Sequence, residues 1–383
     1  MRPFLVQWSE EQIAQLRQRL RETSLPQAPA DSGWEFGADF RFMETLRHYW
    51  NEDYDWRIAM AKLNRYPQFI TTIDGLNIHF VHVRGESKGR RPLLLTHGWP
   101  GSQFEFYHLI ESLAFPSLHG GHSEDAFDLV IPSLPGFGFS GRPDGPIGQR
   151  ATASLWRKLM TEVLGYPQFL AQGGDWGSIV TSWLGVDHGD VVSSIHLNMF
   201  GLGSTAPAQN ESEQQWFNAV QIAQQRMSGY AMLQMFKPQS LAWAAADNPL
   251  GQPAWLVERF HDWSDLRHRT FEEIYPLDYL LTNIMLYVIT GSFTSSLWYY
   301  VGLARDGFCI LPSGLRCETP TAFANSPADT MMPPPPRTRV ELTYRVTQWT
   351  DFAEGGHFLA FERPQEFLQD VREWGRDIWP VDH

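Results

Sequence analysis

The sequence predicts an α/β protein: a mostly parallel central sheet with helices on both faces, a helical insert, and an N-terminal extension. Three observations carry this. Between residues 69 and 200, short apolar runs with few charges alternate with helix-patterned segments, as expected of parallel strands buried on both faces. From 201 to 304 the pattern turns helical, rich in Trp, Met and Tyr and without strand punctuation. Strand-like runs then resume and a last amphipathic segment closes the chain.

Taken in order, Ser9-Glu10-Glu11-Gln12 announces a first helix by a capping box, with Trp8 and Ile13 as a staple and Ile13, Leu16 and Leu20 on one face. Phe69–Ile73 and Ile78–Val83 flank Asp74-Gly75, a hairpin turn signal. Leu93–Thr96, Leu129–Ile131, Phe169–Ala171 and Ser194–Leu197 read as strands. Phe104–Leu113, Thr152–Leu164 and Ser178–Gly185 read as the helices between them. Thr321–Ala324 and Leu342–Val346 read as the final strands, and Pro364–Trp374 as the closing helix. There is no fixed-period repeat, and Pro333–Pro336 reads as a rigid loop. The expected division is an N-terminal region over 1–90, an α/β core over 91–200 and 305–383, and a helical lid over 201–304.

Composition narrows the function classes. With 16 Trp, 25 Phe and 12 Tyr in 383 residues, the chain can fill a core and is not disordered in bulk. Its 43 acidic and 30 basic residues give a net charge of −13, which disfavours nucleic acid and anionic membrane surfaces as partners. The longest apolar stretch, Tyr279–Phe293, is broken by Thr282, Asn283 and Thr290 and falls short of a membrane span. Met1–Val6 reads as too short and polar for a signal peptide. Two cysteines, Cys309 and Cys317, make no disulfide framework, so a reducing, cytoplasmic setting is expected.

The sharpest chemical signal is Gly173-Gly174-Asp175-Trp176-Gly177, after the run Phe169–Gln172. Small residues flank a reactive one where strand and helix backbones close on each other, the nucleophile elbow. With Asp175 at its apex, a carboxylate can displace at saturated carbon, leaving an alkyl ester that must then be hydrolysed. Thr96-His97-Gly98-Trp99-Pro100-Gly101 also follows a strand run and can aim the Trp99 N–H inward. With the Trp176 N–H it would make two donors for an ester oxyanion. Glu354-Gly355-Gly356-His357-Phe358 puts a His on a Gly-rich loop, where it can activate water as a general base. Asp329, after Thr321–Ala324, is preferred as its orienting acid over Asp351 and Glu354, which sit on the His loop and would bond local backbone. His119 and His122 have weakly metal-like spacing but no ligand set, and no metal is expected. Tyr230, Tyr275, Tyr279, Tyr287, Tyr299 and Tyr300 lie in the insert, and any could offer a phenol to an oxygen leaving group.

With these residues assembled, the sequence resembles the epoxide hydrolases of the α/β-hydrolase fold, in the microsomal-type branch that carries an extra N-terminal region. The resemblance runs over nearly the whole chain. It rests on Tyr54-Asp55-Trp56-Arg57, Leu63-Asn64, Pro67-Gln68-Phe69 and Ile78-His79-Phe80 in the N-terminal region. In the core it rests on His97–Ser102, Ser133-Leu134-Pro135-Gly136-Phe137, Gly173–Gly177, and Gly355–Phe358 with Glu362-Arg363-Pro364. It implies Asp175 as nucleophile, His357 as base and Asp329 as acid, within Pro320–Asp329, where Ser326-Pro327 departs from the usual Phe-Pro. It also implies two lid tyrosines, Tyr230 and Tyr300, with Tyr299 next door as the competitor for the second.

The expected activity is therefore conversion of an apolar epoxide and water to a vicinal diol without metal or organic cofactor, in a protein that could form a homodimer. A haloalkane dehalogenase shares the Asp nucleophile but stabilises a halide with indole N–H groups, not phenols. A silent ligand-binding homologue would gain little from a poised nucleophile.

Overall fold

The computed structural model of the chain describes residues 1–86, 89 and 91–379. Among them one sheet contains β1 (Arg2–Phe4), β2 (Gln68–Ile73), β3 (Leu76–Val83), β4 (Pro92–Thr96), β5 (Asp128–Pro132), β6 (Phe169–Gly173), β7 (Val192–Leu197), β8 (Cys317–Asn325) and β9 (Tyr344–Asp351). Their order is β1-β2-β3-β5-β4-β6-β7-β8-β9. From β5 across to β9 neighbours run parallel, while β1, β2 and β3 join antiparallel at the β5 edge. β4, β5 and β6 are buried along their whole length, which is why they read as unbroken apolar runs. At the β2–β3 turn both Asp74 and Gly75 take positive φ, 50° and 82°, as a tight hairpin with right-handed twist demands.

Register places the chemistry. Thr96 pairs with Gly173, so β4 and β6 end level and their following turns meet. Asn325 pairs with Asp351, so the loops after β8 and β9 also face each other. All four lie at the carboxyl edge of the parallel strands, where open α/β sheets leave a crevice.

Helices follow the expected pattern with informative differences. The Ser9 capping box closes in both directions and Ile13, Leu16 and Leu20 are buried. The stretch predicted as one helix, Phe104–Leu113, divides into a 3₁₀ turn, Gln103–Phe106, and a short helix, Ile110–Ala114; over so few turns, apolar spacing does not separate a period of 3.0 from 3.6. Gln149–Lys158 continues as a wider π turn over Leu159–Val163. The predicted strand Leu342–Val346 is displaced: Leu342 ends the helix Arg337–Glu341 and β9 begins at Tyr344. β1 carried no sequence signal. The expected boundary at residue 90 falls on Arg90, outside the described residues.

Between β7 and β8 the chain is helical, from Glu211–Met227 through Gly229–Phe236, Gly251–Trp263, Leu277–Val288 and Ser292–Arg305. The N-terminal helices Phe40–Glu52 and Trp56–Leu63 brace this insert. The Tyr49 hydroxyl donates to Asp278 at 3.0 Å, Tyr54 and Thr282 hydroxyls meet at 3.1 Å, and Trp34 stacks on His261 at 3.9 Å. One hydrophobic core runs through Leu46, Leu94, Trp263 and Leu297 without a break. Among the described residues no single helix is long and apolar enough to cross a membrane; Leu277–Val288 and Ser292–Arg305 together reach the length but are bent by 83° and mostly buried.

Candidate active site

Asp175 stands between β6 and the helix Trp176–Asp187 with φ 48° and ψ −127°, a backbone state that a residue with a side chain holds only under constraint. The constraint is close packing. A Cβ at Gly177 would run into the Thr96 carbonyl, and one at Gly98 into the Asp175 carboxylate itself. The level ends of β4 and β6 bring the Trp99 N–H to Asp175 Oδ1, where it donates at 2.7 Å. His97 steadies that turn. Burial pushes its imidazole down to about 4, so it is neutral, and its two nitrogens meet the Gly98 carbonyl at 2.9 Å and the Leu134 N–H at 3.2 Å. The Trp176 N–H, the second expected donor, opens the helix and makes no bond to the Asp175 side chain.

His357 lies between two carboxylates. Its Nε2 is 3.1 Å from Asp175 Oδ2 and its Nδ1 2.8 Å from Asp329 Oδ2. Asp329 is itself held by the backbone N–H groups of Met331 and Met332, both 2.9 Å from Oδ1. Burial alone would lower the imidazole; Asp329 and Asp175 outweigh it and hold it up at about 10, so in the resting site it carries a proton. The competing acids are engaged elsewhere: Asp351 accepts from the Asn325 amide at 2.8 Å, and Glu354 pairs with Arg363 at 2.6 Å. The His loop is pinned by Glu362, which accepts the N–H groups of Gly356 and Phe358, and by Asp265, which accepts that of Gly355.

The structure brings Tyr230 and Tyr300 together at this site, while the hydroxyls of Tyr275, Tyr287 and Tyr299 are bonded to other partners. Their rings are 5.8 Å apart at 87°, with their hydroxyls turned toward each other. Tyr230 lies parallel to the Trp99 indole at 5.6 Å, and Tyr300 meets Trp176 edge-on at 4.5 Å. Burial, with Asp175 adding to it, pushes both phenols up, so both keep their protons to donate. Tyr299 points elsewhere, its hydroxyl donating to Thr152 at 2.7 Å. Tyr287 donates to the Gly101 carbonyl at 2.6 Å, and Tyr275 meets Ser264 at 2.9 Å. Tyr279 stacks on Phe104.

Sequence reasoning missed two residues here. Trp263 ends the helix Gly251–Trp263 and packs its indole against His357 at 5.0 Å and Tyr230 at 5.1 Å, while its carbonyl accepts the His357 N–H at 2.8 Å. Nothing in its local sequence marks it. Glu105, on the 3₁₀ turn, is raised to about 8 by burial and then by Asp175, with His357 opposing. An acid set between two phenylalanines, Phe104 and Phe106, was the available signal. Among the described residues no group of three or more His, Cys, Asp or Glu is arranged to hold a metal ion; His119 sits 3.8 Å from Glu111 at the surface.

Known proteins share this architecture. Residues 1–106 match the family model described as epoxide hydrolase N terminus, and residues 91–237 that of the alpha/beta hydrolase fold. A Stigmatella aurantiaca protein is 38% identical over 381 residues, covering 98% of this chain and 85% of its own length. Epoxide hydrolase 1 of Sus scrofa is 34% identical, covering 98% and 88%. The structure of Aspergillus niger epoxide hydrolase superimposes with a TM-score of 0.86 at 30% identity, over 98% of this chain and 96% of that one. With 98% of its length matched at these identities, the chain belongs to the epoxide hydrolase family of the α/β-hydrolase fold.

Proposed function

We propose that the protein hydrolyses an epoxide to a vicinal diol in two steps, through an ester on Asp175. The observation that carries this is the position of His357, within 3.1 Å of Asp175 on one side and 2.8 Å of Asp329 on the other. In the first step Asp175 Oδ2 attacks an epoxide carbon from the side opposite its oxygen, the C–O bond breaks, and Tyr230 and Tyr300 meet the departing oxygen with their hydroxyl protons. Oδ1, already bonded to the Trp99 N–H, becomes the ester carbonyl oxygen.

Esterification then switches His357 on. Asp175 loses its negative charge, so one of the two carboxylates that keep the imidazole protonated is gone and its proton affinity falls. Its proton returns to the phenols that served the alkoxide, and the neutral imidazole, oriented by Asp329, takes a proton from water. The hydroxide adds to the ester carbonyl, the oxyanion rests on the N–H groups of Trp99 and Trp176, and collapse releases the diol and regenerates the carboxylate. Atoms and charge balance with water alone.

The helical insert serves in this reading as a lid, and its aromatic lining with Trp263 suits an apolar, bulky epoxide. A cytoplasmic setting is proposed on the two free thiols, Cys309 and Cys317. The test is a single turnover in heavy-oxygen water with enzyme in excess over styrene oxide. The label is expected in the Asp175 carboxylate and not in the diol; labelled diol would mean that water attacks the epoxide directly.

A further inference from the structure

The helix Gly251–Trp263 brings a cation to Tyr230. Arg259 is only 5% exposed, and its guanidinium carbon lies 5.2 Å from the centre of the Tyr230 ring and 5.9 Å from that of Trp263. Both are within the range at which a cation and an aromatic face attract. Its Nη2 meets Asp262 Oδ2 at 3.1 Å and also the Glu258 carboxylate, while its Nε is buried with no hydrogen-bond partner among the described residues. As a space filler this is a poor side chain. A buried guanidinium with an unmet N–H forfeits solvation that an apolar residue of similar volume would not. Placed against a phenol ring, however, its charge draws electron density from the ring and strengthens the hydroxyl as a donor.

Other groups around Tyr230 act in both directions. Burial and the carboxylates of Asp175 and Asp329 hold its proton more tightly, whereas the Tyr300 hydroxyl and Arg259 loosen it. Tyr300 is touched by no cation in this way among the described residues. The helix carrying Arg259 is also anchored to the site, since the Asp262 carbonyl accepts the hydroxyl of Thr330, next to Asp329, and that of Trp263 accepts the His357 N–H.

We propose that Arg259 is a positioning residue for epoxide opening: it holds Tyr230 beside Trp99 and polarises its hydroxyl, making Tyr230 rather than Tyr300 the principal proton donor to the epoxide oxygen. The proposal rests on the two phenols being the donors.

The test uses the full chain carrying His357→Gln, so that the ester persists, with styrene oxide as probe and intact mass as the readout. Arg259→Met is expected to slow adduct formation roughly ten-fold, and Arg259→Lys, which keeps the charge, to stay within about three-fold of the parent. In chains with His357 intact, hydrolysis of ester formed by rapid mixing should run at the same rate with and without Arg259→Met, a split that a loosened fold would not produce. Adduct formation at the parental rate in Arg259→Met, or an equal loss in Arg259→Lys, overturns the proposal. If Arg259→Met does not fold, Glu258→Gln, which strips a neutralising carboxylate from the guanidinium, should raise the alkylation rate about two-fold or more, and an unchanged or lower rate overturns it. Failure of the underlying reading looks different: Tyr230→Phe and Tyr300→Phe would then both form adduct as fast as the parent.

Discussion

The turns at the sheet's carboxyl edge and the helices above them build one site by different means. At the edge, the backbone sets each group. Asp175 is fixed by a turn that only glycines can flank, Trp99 by the register of Thr96 with Gly173, and His357 by amide bonds from its loop to Glu362 and Asp265. In the insert, ring packing sets them: Tyr230 lies on Trp99 and Trp263, and Tyr300 on Trp176. The difference matches the tasks. Making and breaking an ester at one carboxylate requires a geometry held to a fraction of an ångström, which hydrogen-bonded turns supply. Meeting an oxygen on substrates of varied shape requires donors in an apolar wall, which packed phenols supply.

If the division holds, variants at the edge damage ester chemistry and variants in the insert damage only ring opening. The largest effect is expected from Asp175→Ala, a loss of turnover of roughly 10⁴-fold or more with the fold intact by circular dichroism; near-normal diol formation would break the comparison at its strongest point. Next, His357→Gln should lower turnover roughly 10³-fold while letting an adduct of the epoxide's mass accumulate on the protein. A variant without adduct would show that His357 acts in the first step. Smaller again, Tyr230→Phe and Tyr300→Phe should each slow alkylation roughly ten- to hundred-fold and leave ester hydrolysis unchanged in rapid-mixing experiments. Loss in the hydrolytic step would erase the distinction between the two regions.

The smallest effect concerns stability. Burial holds Glu105 at about 8, above its ordinary 4.5, so the folded chain keeps a proton that the unfolded chain has released. Stability therefore falls as pH rises from about 4.5 through about 8. Glu105→Gln should remove that decline, raising Tm at pH 9 by on the order of 2–4 °C while changing it little at pH 4. An equal change at both pH values would mean that the carboxyl is not held protonated.

Legibility in the sequence followed the same division. Asp175, Trp99 and His357 stood out because sharp turns need Gly and Pro at fixed offsets, and these leave a trace. The alternation of apolar runs with helical segments exposed β4 to β7 because strands buried on both faces tolerate few charges. β9 was misplaced because it is an edge strand, half open to solvent and carrying mixed residues from Tyr344 to Asp351. The choice of Asp329 over Asp351 depended on which loop faces His357, a matter of register between β8 and β9.

By itself, then, the sequence determined the kind of fold, the carboxylate and imidazole proposed as nucleophile and base, and the turns that present them, since glycine-flanked turns leave their trace within a few residues. Only the tertiary structure decided that Tyr300 and not Tyr299 faces Tyr230, that Trp263 lies against His357, and that Arg259 reaches the Tyr230 ring. Adjacent helical residues point about 100° apart, so which one meets the site is settled by how a whole helix is rolled against its neighbours, a sum of many weak contacts that leaves no mark at the residue itself.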